Sequence, residues 1–236
     1  MKILGIESSC DDTSVALIEA SDQGFVVLSE KTASQIEIHK KYGGVVPEIA
    51  GRMHAEKIMP VVEEVMKDQA KPDAIAVTSG PGLITGLLVG VEAAKALSYL
   101  WNVPLISINH IEGHIHSPFI LNPKGEGSFV GNKHKTTIDK NDPQNINSER
   151  SLVVPPRDEQ IYPALALIAS GGHTELIVIK NQGNYKKIGA TVDDAAGECF
   201  DKVAKLLNFE YPGGPKISKH AETGNTKAIN FPRPML

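Results

Sequence analysis

Lys2-Ile3-Leu4-Gly5-Ile6-Glu7-Ser8-Ser9-Cys10-Asp11-Asp12-Thr13-Ser14-Val15-Ala16-Leu17-Ile18-Glu19 reads as two strands, 2–7 and 13–19, on either side of a polar turn. The theme returns far along the chain. Ile168-Ala169-Ser170-Gly171-Gly172-His173-Thr174-Glu175-Leu176-Ile177-Val178-Ile179 is again a strand, a small polar turn and a strand. A repeat at so long a spacing implies duplicated half-domains. Two sheets that each open with such a hairpin can face each other across a cleft. Small residues in the turns then bring backbone N–H groups close to phosphates.

Working outward, a third strand follows at 25–30, and a helix starts after Val46 with Pro47 in its first turn, where proline is tolerated. Ile49, Met53, Ile58, Val61, Val62 and Val65 recur there at helical spacing. A strand at 74–79, a Leu-, Ala- and Gly-rich helix to about Leu100 and a strand at 104–109 complete a mixed sheet covered by helices. The second copy supplies strands at 162–169, 174–180 and 185–190, a helix over 195–207 and a short helical stretch after Pro215. The later elements of the first copy have no counterpart before Leu236, so the second lobe is expected to be incomplete. The expected organisation is a first lobe over 1–120, a polar insertion over 121–160 and the start of a second lobe over 161–236. The insertion is rich in Asn, Lys, Pro, Gly and Ser and reads as an exposed or disordered loop, its lysines solvated rather than RNA-bound.

Composition is that of an ordinary globular chain: 236 residues, 41% hydrophobic and 22% charged. The most apolar helix is interrupted by Glu92 and Lys95, so no membrane association is expected. Two cysteines make no disulfide framework, and no targeting segment is visible, which points to the cytoplasm. A net charge of −4 excludes a chain that binds nucleic acid by overall electrostatics.

Several side chains are candidates for chemistry. His110 and His114, four apart on a helix that follows the strand ending at Asn109, lie about one turn apart on one face. That spacing suits two ligands of one metal ion, although a coincidental pair has the same pattern. Glu112 lies two positions after His110 and off their shared face, unlike the catalytic Glu of zinc peptidases. Asp11 and Asp12, in the first turn, can act as bases or bind a metal, or simply serve the turn. Gly171 and Gly172 permit close approach of a phosphate or carboxylate. Cys10 is read as a small buried apolar residue.

Eight stretches in order resemble the TsaD family, bacterial and mitochondrial branch. They are Gly5-Ile6-Glu7-Ser8-Ser9-Cys10-Asp11-Asp12-Thr13, Tyr42-Gly43-Gly44-Val45-Val46-Pro47-Glu48, Gly80-Pro81-Gly82-Leu83 and His110-Ile111-Glu112-Gly113-His114. Then come Ser170-Gly171-Gly172-His173-Thr174, Asp193-Asp194-Ala195-Ala196-Gly197-Glu198, Tyr211-Pro212-Gly213-Gly214-Pro215 and Phe231-Pro232-Arg233-Pro234-Met235. The resemblance implies an α/β actin-like ATPase (ASKHA) fold and transfer of a threonylcarbamoyl group from threonylcarbamoyl-AMP to N6 of adenosine 37 in tRNAs reading codons that begin with adenine. It implies a metal, Fe(2+) or Zn(2+), on His110 and His114, and a third ligand in a further third of the chain that family members carry. It also implies substrate contacts at Ile168, Ala169, Ser170, Gly171 and Gly172, nucleotide contacts at Asp201 and Gly214, and Asp11 and Asp12 near the attacking amine. The implied partners are the tRNA anticodon loop, a TsaB-like paralogue and a TsaE-like ATPase. Two rivals stand beside this reading: a phosphotransferase or ATPase of the same superfamily, and a non-catalytic chain that only binds partners.

Overall fold

A computed structural model describes residues 1–21, 24–116, 151–152, 162–181 and 183–232. Strand β1 (Lys2–Glu7) pairs antiparallel with β2 (Asp12–Ser21), and β2 pairs antiparallel with β3 (Gly24–Ser34). Leu4 stands opposite Leu17 and Ile6 opposite Val15. All four are buried, so alternation along the hairpin makes one face apolar throughout. After β3 the chain forms a four-residue helix, α1 (Ile36–His39), a tight turn at Lys40–Tyr42, then α2 (Pro47–Met66) and β4 (Ala74–Gly80). Next come α3 (Ile84–Trp101), β5 (Leu105–Asn109) and α4 (His110–His116). Strand β4 joins β1 in parallel and β5 joins β4 in parallel. The two-residue β6 (Ser151–Leu152) extends the far edge, giving the order β5-β4-β1-β2-β3-β6.

Register decides where the core sits. Leu4 pairs with Ile75 and Ile6 with Val77, so the apolar face of the hairpin continues into β4. Helix α2 lays Ile58, Val61, Val62 and Val65 on that face, and α3 adds Ala94 and Leu97. Helix α3 is long and apolar enough, by length and composition, to cross a membrane. Here Gly86, Gly90, Ala94 and Leu97 are buried, while Glu92 and Lys95 pair with each other on the outside at 2.7 Å.

The second sheet is a meander of β7 (Ala164–Ala169), β8 (Thr174–Asn181) and β9 (Asn184–Ala190), with the same antiparallel order as β1-β2-β3. Helices α5 (Ala196–Leu206) and α6 (Gly213–Ala221) follow. Ile168, Ile177 and Ile179 form its core together with Ile115 of α4, and Ile111 packs against the same cluster. Residues 111 and 115 are one turn apart, and 110 and 114 form the neighbouring stripe of the same helix. Burying the isoleucines against the second sheet therefore aims the histidines at the edge between the two sheets. The architecture is α/β of the actin-like kind, a mixed sheet followed by a second antiparallel start.

Five expectations from the sequence change. Strand β3 runs to Ser34, beyond the expected 25–30, because its pairing with β2 continues as far as Asp12. Helix α1 was not foreseen: four residues are too few to show a period. On α2, Ile49 and Met53 are only half-buried, and Ala50 and His54 occupy the inner stripe instead. Helix α6 begins at Gly213, before Pro215, because proline fits a first helical turn. In the expected insertion, Ser151 and Leu152 pair with Val26 and Phe25 rather than forming loop. The rest of 121–160 lies outside the described residues.

Candidate functional site

The first polar turn is held rigidly from three sides. Ser8 is buried and its hydroxyl donates to Gly86 O at 3.0 Å, while Leu83 N–H donates to Ser9 O at 2.7 Å. A Cβ on Gly86 would strike Ser8 O, and one on Gly90 would strike Ser8 Oγ, so only glycine lets α3 come this close. From α2, His54 Nε2–H donates to Cys10 O at 3.0 Å, which leaves Nδ1 to accept from the Thr13 hydroxyl at 2.7 Å. From the start of α1, Gln35 N–H donates to Asp11 O at 3.1 Å. Gln35 also ties in His39: its Oε1 accepts from His39 Nε2–H at 3.0 Å, and His39 Nδ1 accepts from Val46 N–H at 3.2 Å.

The second turn is built the same way. Ser170 N–H donates to His173 O at 2.8 Å, Gly197 N–H donates to Ser170 O at 3.0 Å, and a Cβ on Gly197 would lie 2.7 Å from that carbonyl. Gly86 of α3 and Gly197 of α5 thus let these helices press on the backbone of the two turns.

His110 and His114 meet at this junction. Asn109 Oδ1 accepts from Ile111 N–H at 2.8 Å and Glu112 N–H at 3.4 Å, a side-chain cap that starts α4 directly after β5. The two imidazoles face each other with their Nε2 atoms 3.0 Å apart. Two nitrogens about 2.05 Å from one metal ion are roughly 2.9 Å apart at a right angle and about 3.3 Å at the tetrahedral angle. The pair thus fits adjacent positions on a single cation. His173, from the second turn, has its ring centroid 6.1 Å from that of His110. His116 faces away, 2.7 Å from the Tyr185 hydroxyl. Burial, then the His110 and His173 imidazoles, hold His114 below its ordinary pKa, so it is neutral near pH 7 and able to ligate. Among the described residues no group of three His, Cys, Asp or Glu side chains could hold a metal, so a third ligand is not supplied by them.

Glu7 sits behind the pair. Its carboxylate accepts from Ser9 N–H at 2.5 Å, the Thr78 hydroxyl at 2.6 Å and His110 Nδ1 at 3.2 Å. Burial pushes its carboxyl up, but these hydrogen bonds outweigh burial and bring it down to about 2. Glu7 was not singled out from the sequence. The available signal was a carboxylate ending a strand whose alternate residues are buried.

A cleft of about 590 Å³ lies between the Lys40–Gly43 segment and the stretch that carries Asp201 and Tyr211. That volume is within the range of small-molecule sites. An exposed ion pair, Lys40 to Glu210 at 2.9 Å, bridges its two sides. Burial raises the Tyr211 hydroxyl, and the charges of Asp11, Asp201 and Asp12 raise it further, so the three predicted acids share one neighbourhood. Asp201 also accepts from Gly213 N–H at 2.7 Å and holds the start of α6. Gly171, Gly172 and Gly214 have open space where a side chain would be. Ala169 is exposed, whereas the Ile168 side chain is part of the core, which leaves only its backbone for a ligand. Cys10 is exposed rather than buried, because Ser8 and Ser9 fill the inner positions of the turn. Desolvation and the Asp11 carboxylate push its thiol up to about 12, which makes it a poor nucleophile.

The profile described as TsaD: tRNA N6-adenosine threonylcarbamoyltransferase matches residues 26–129 and 144–236. The break between the matches falls inside the polar 121–160 stretch. The tRNA N6-adenosine threonylcarbamoyltransferase of Bacillus subtilis (strain 168) is 43% identical over 240 residues, covering 100% of this chain and 58% of that protein. The protein of the same description from Clostridium kluyveri (strain ATCC 8527) is 44% identical over 237 residues, covering 99% and 58%. This chain therefore spans less than two thirds of the length of these curated relatives. Among solved structures, YeaZ from Pseudomonas aeruginosa gives a TM-score of 0.39 at 17% identity over 80% of this chain and 66% of that one. A Ppx/GppA family member from Aquifex aeolicus gives 0.37 at 10% identity over 93% and 58%. The sequence matches run through both sheets, and on them the chain belongs to the TsaD family of tRNA N6-adenosine threonylcarbamoyltransferases.

Proposed function

We propose that this chain forms most of a site that transfers a threonylcarbamoyl group from threonylcarbamoyl-AMP to N6 of adenosine 37 in the anticodon loop of tRNAs reading codons that begin with adenine. The observation that carries this reading is the His110–His114 pair, meeting at 3.0 Å beside His173 of the second turn. On this reading the two histidines hold one divalent cation, Fe(2+) or Zn(2+), with a further ligand from outside the described residues. When bound, that cation supplies Lewis-acid polarisation at the threonylcarbamoyl end.

The chain's own groups do the rest. The backbone at Ile168, Ala169, Ser170, Gly171 and Gly172 lines the acyl and phosphate side. Asp201 and Gly214 take the nucleotide side, next to the cleft. Asp11 or Asp12 orients the adenine amine and accepts its proton as the C–N bond forms and AMP departs. An exocyclic amine is a weak nucleophile, so holding it against the acyl carbon contributes much of the rate. The amine is reachable only in a splayed single-stranded loop.

A TsaB-like paralogue and a TsaE-like ATPase are the proposed partners, and the cytoplasm, where tRNA is found, is the proposed compartment. Exposed Ile84, Leu88, Tyr99 and Leu100 make α3 the better docking helix for the paralogue. The proposed lobes are 1–120 and 161–236, with 121–160 between them.

The test is transfer from synthetic threonylcarbamoyl-AMP to unmodified tRNA, with both partners added. Modified adenosine is expected with the parent chain, and little or none with His114→Ala or Asp11→Asn. A His114→Ala chain with unchanged metal content and intact ATP turnover would favour the phosphotransferase reading. A chain that binds the paralogue but modifies no tRNA would favour the non-catalytic one.

A further inference from the structure

We propose that Glu7 is the positioning residue that sets the tautomer of His110 and turns its Nε2 lone pair toward the site. Glu7 Oε2 lies 3.2 Å from His110 Nδ1 and Ser9 Oγ lies 3.1 Å from the same nitrogen. Ser9 could donate to a bare Nδ1 or accept from a protonated one. An ionised carboxylate carries no proton and can only accept, as both its oxygens do here, from the Ser9 N–H at 2.5 Å and the Thr78 hydroxyl at 2.6 Å. A bare Nδ1 would set a lone pair against Oε2. The proton therefore belongs on Nδ1, and Nε2, on the opposite side of the ring, is left to accept from His114 Nε2–H at 3.0 Å.

The anchoring of Glu7 makes this a fixed device. It ends β1, receives a backbone bond from the first polar turn and a hydroxyl bond from β4, and so holds the His110 ring against both elements. A carboxylate behind a ligating imidazole fixes ring orientation and raises the basicity of the far nitrogen. The inference rests on the proposed metal reading for its consequence, though not for its geometry.

The test separates the two. In the metal-free 236-residue chain, long-range ¹H–¹⁵N correlation of the histidine rings at pH 7.5 reads the tautomer directly. The parent is expected to show His110 protonated on Nδ1, and Glu7→Ala to shift it to the Nε2–H form. Glu7→Gln keeps the shape should Glu7→Ala fold poorly; its amide can turn an N–H toward Nδ1 and is expected to cause the same shift. Zn(2+) binding, measured by competition with a chromophoric chelator, is expected to weaken roughly 10–100-fold in both variants. If His110 keeps its Nδ1–H tautomer in Glu7→Ala and Glu7→Gln, the proposal is overturned. If Zn(2+) affinity stays within a factor of two in both while His110→Ala abolishes it, the proposal is overturned and the metal reading stands. If His110→Ala and His114→Ala bind Zn(2+) like the parent, the metal reading fails, and the tautomer shift alone decides the role of Glu7.

Discussion

The Ser8 hydroxyl donates to the carbonyl of Gly86 at 3.0 Å, and the same helix presents Gly90 to the Ser8 side chain one turn later. This contact seats the first polar turn on α3. A methyl group at residue 86 would meet Ser8 O and the His54 ring together, and neither can retreat: the first is backbone, and the second is bonded to Thr13 and Cys10. Gly86→Ala is therefore expected to lower stability by about 1–3 kcal/mol despite the higher helix propensity of alanine. Gly113, with open space around it, serves as the control, and Gly113→Ala is expected to be neutral or slightly stabilising. Urea denaturation of the two variants measures the difference.

Acid should loosen the fold around the first polar turn through His39. Its ring is buried, and burial holds its pKa below the ordinary value. Folding thus favours the neutral ring, and below about 6.5 the unfolded chain takes up the proton first. Stability is full above that pH and falls as pH drops toward the depressed folded value, by at most about 1.4 kcal/mol per pH unit for one group. His39→Gln does not titrate and can still accept from Val46 N–H. It should lower stability at pH 7.5 yet flatten the loss between pH 7.5 and 5.5. His114, shifted in the same direction, keeps part of the slope. Midpoints of urea unfolding at the two pH values check this.

Metal should stabilise the fold only through the histidine pair. A ligand that binds the native state alone adds about 2.7 kcal/mol at one hundred times its dissociation constant. Zn(2+) is expected to raise the melting temperature of the parent at pH 7.5 and to lose that effect in His110→Ala and in His114→Ala. His116, bonded to Tyr185 instead, should leave the Zn(2+) effect intact when changed to Ala. Thermal unfolding with and without EDTA reads all four.

Much of this arrangement was visible in the residues. Period-two alternation in 2–19 and its return at 168–179 expose both hairpins, because each strand buries one face. The pairing of His110 with His114 follows from helical spacing once the strand ends at Asn109. The polar scaffold was not legible. His54 and His39 lie inside the fold, but their partners Thr13, Cys10 and Val46 are up to 44 residues away, and no local period reports a bond across that distance. Glu7 was hidden for the same reason, since Thr78 and His110 reach it from β4 and α4. Short helices such as α1 lack the length for a pattern, and the 121–160 stretch has no period in its residues to read.

Ile168 separates what a sequence motif marks from what its side chain does. It opens the expected substrate loop, yet its side chain is buried with Ile115, Ile177 and Ile179, and Ile115 belongs to the helix that carries the two histidines. Truncating it should act on stability first. Ile168→Ala is expected to cost about 2–5 kcal/mol and Ile168→Val about 0.5–1.5 kcal/mol, the usual range for buried methyl and methylene groups. Loosening this cluster also frees α4 from the second sheet, so Ile168→Ala should weaken Zn(2+) binding, whereas Ile168→Val, which keeps most of the packing, should not. Ala169, exposed at the end of the same strand, offers the contrast: Ala169→Ser should leave stability within about 0.5 kcal/mol. Urea denaturation and Zn(2+) titration of the three variants measure both effects. Equal Zn(2+) affinity in Ile168→Ala and the parent would mean that α4 holds its histidines without support from the second sheet.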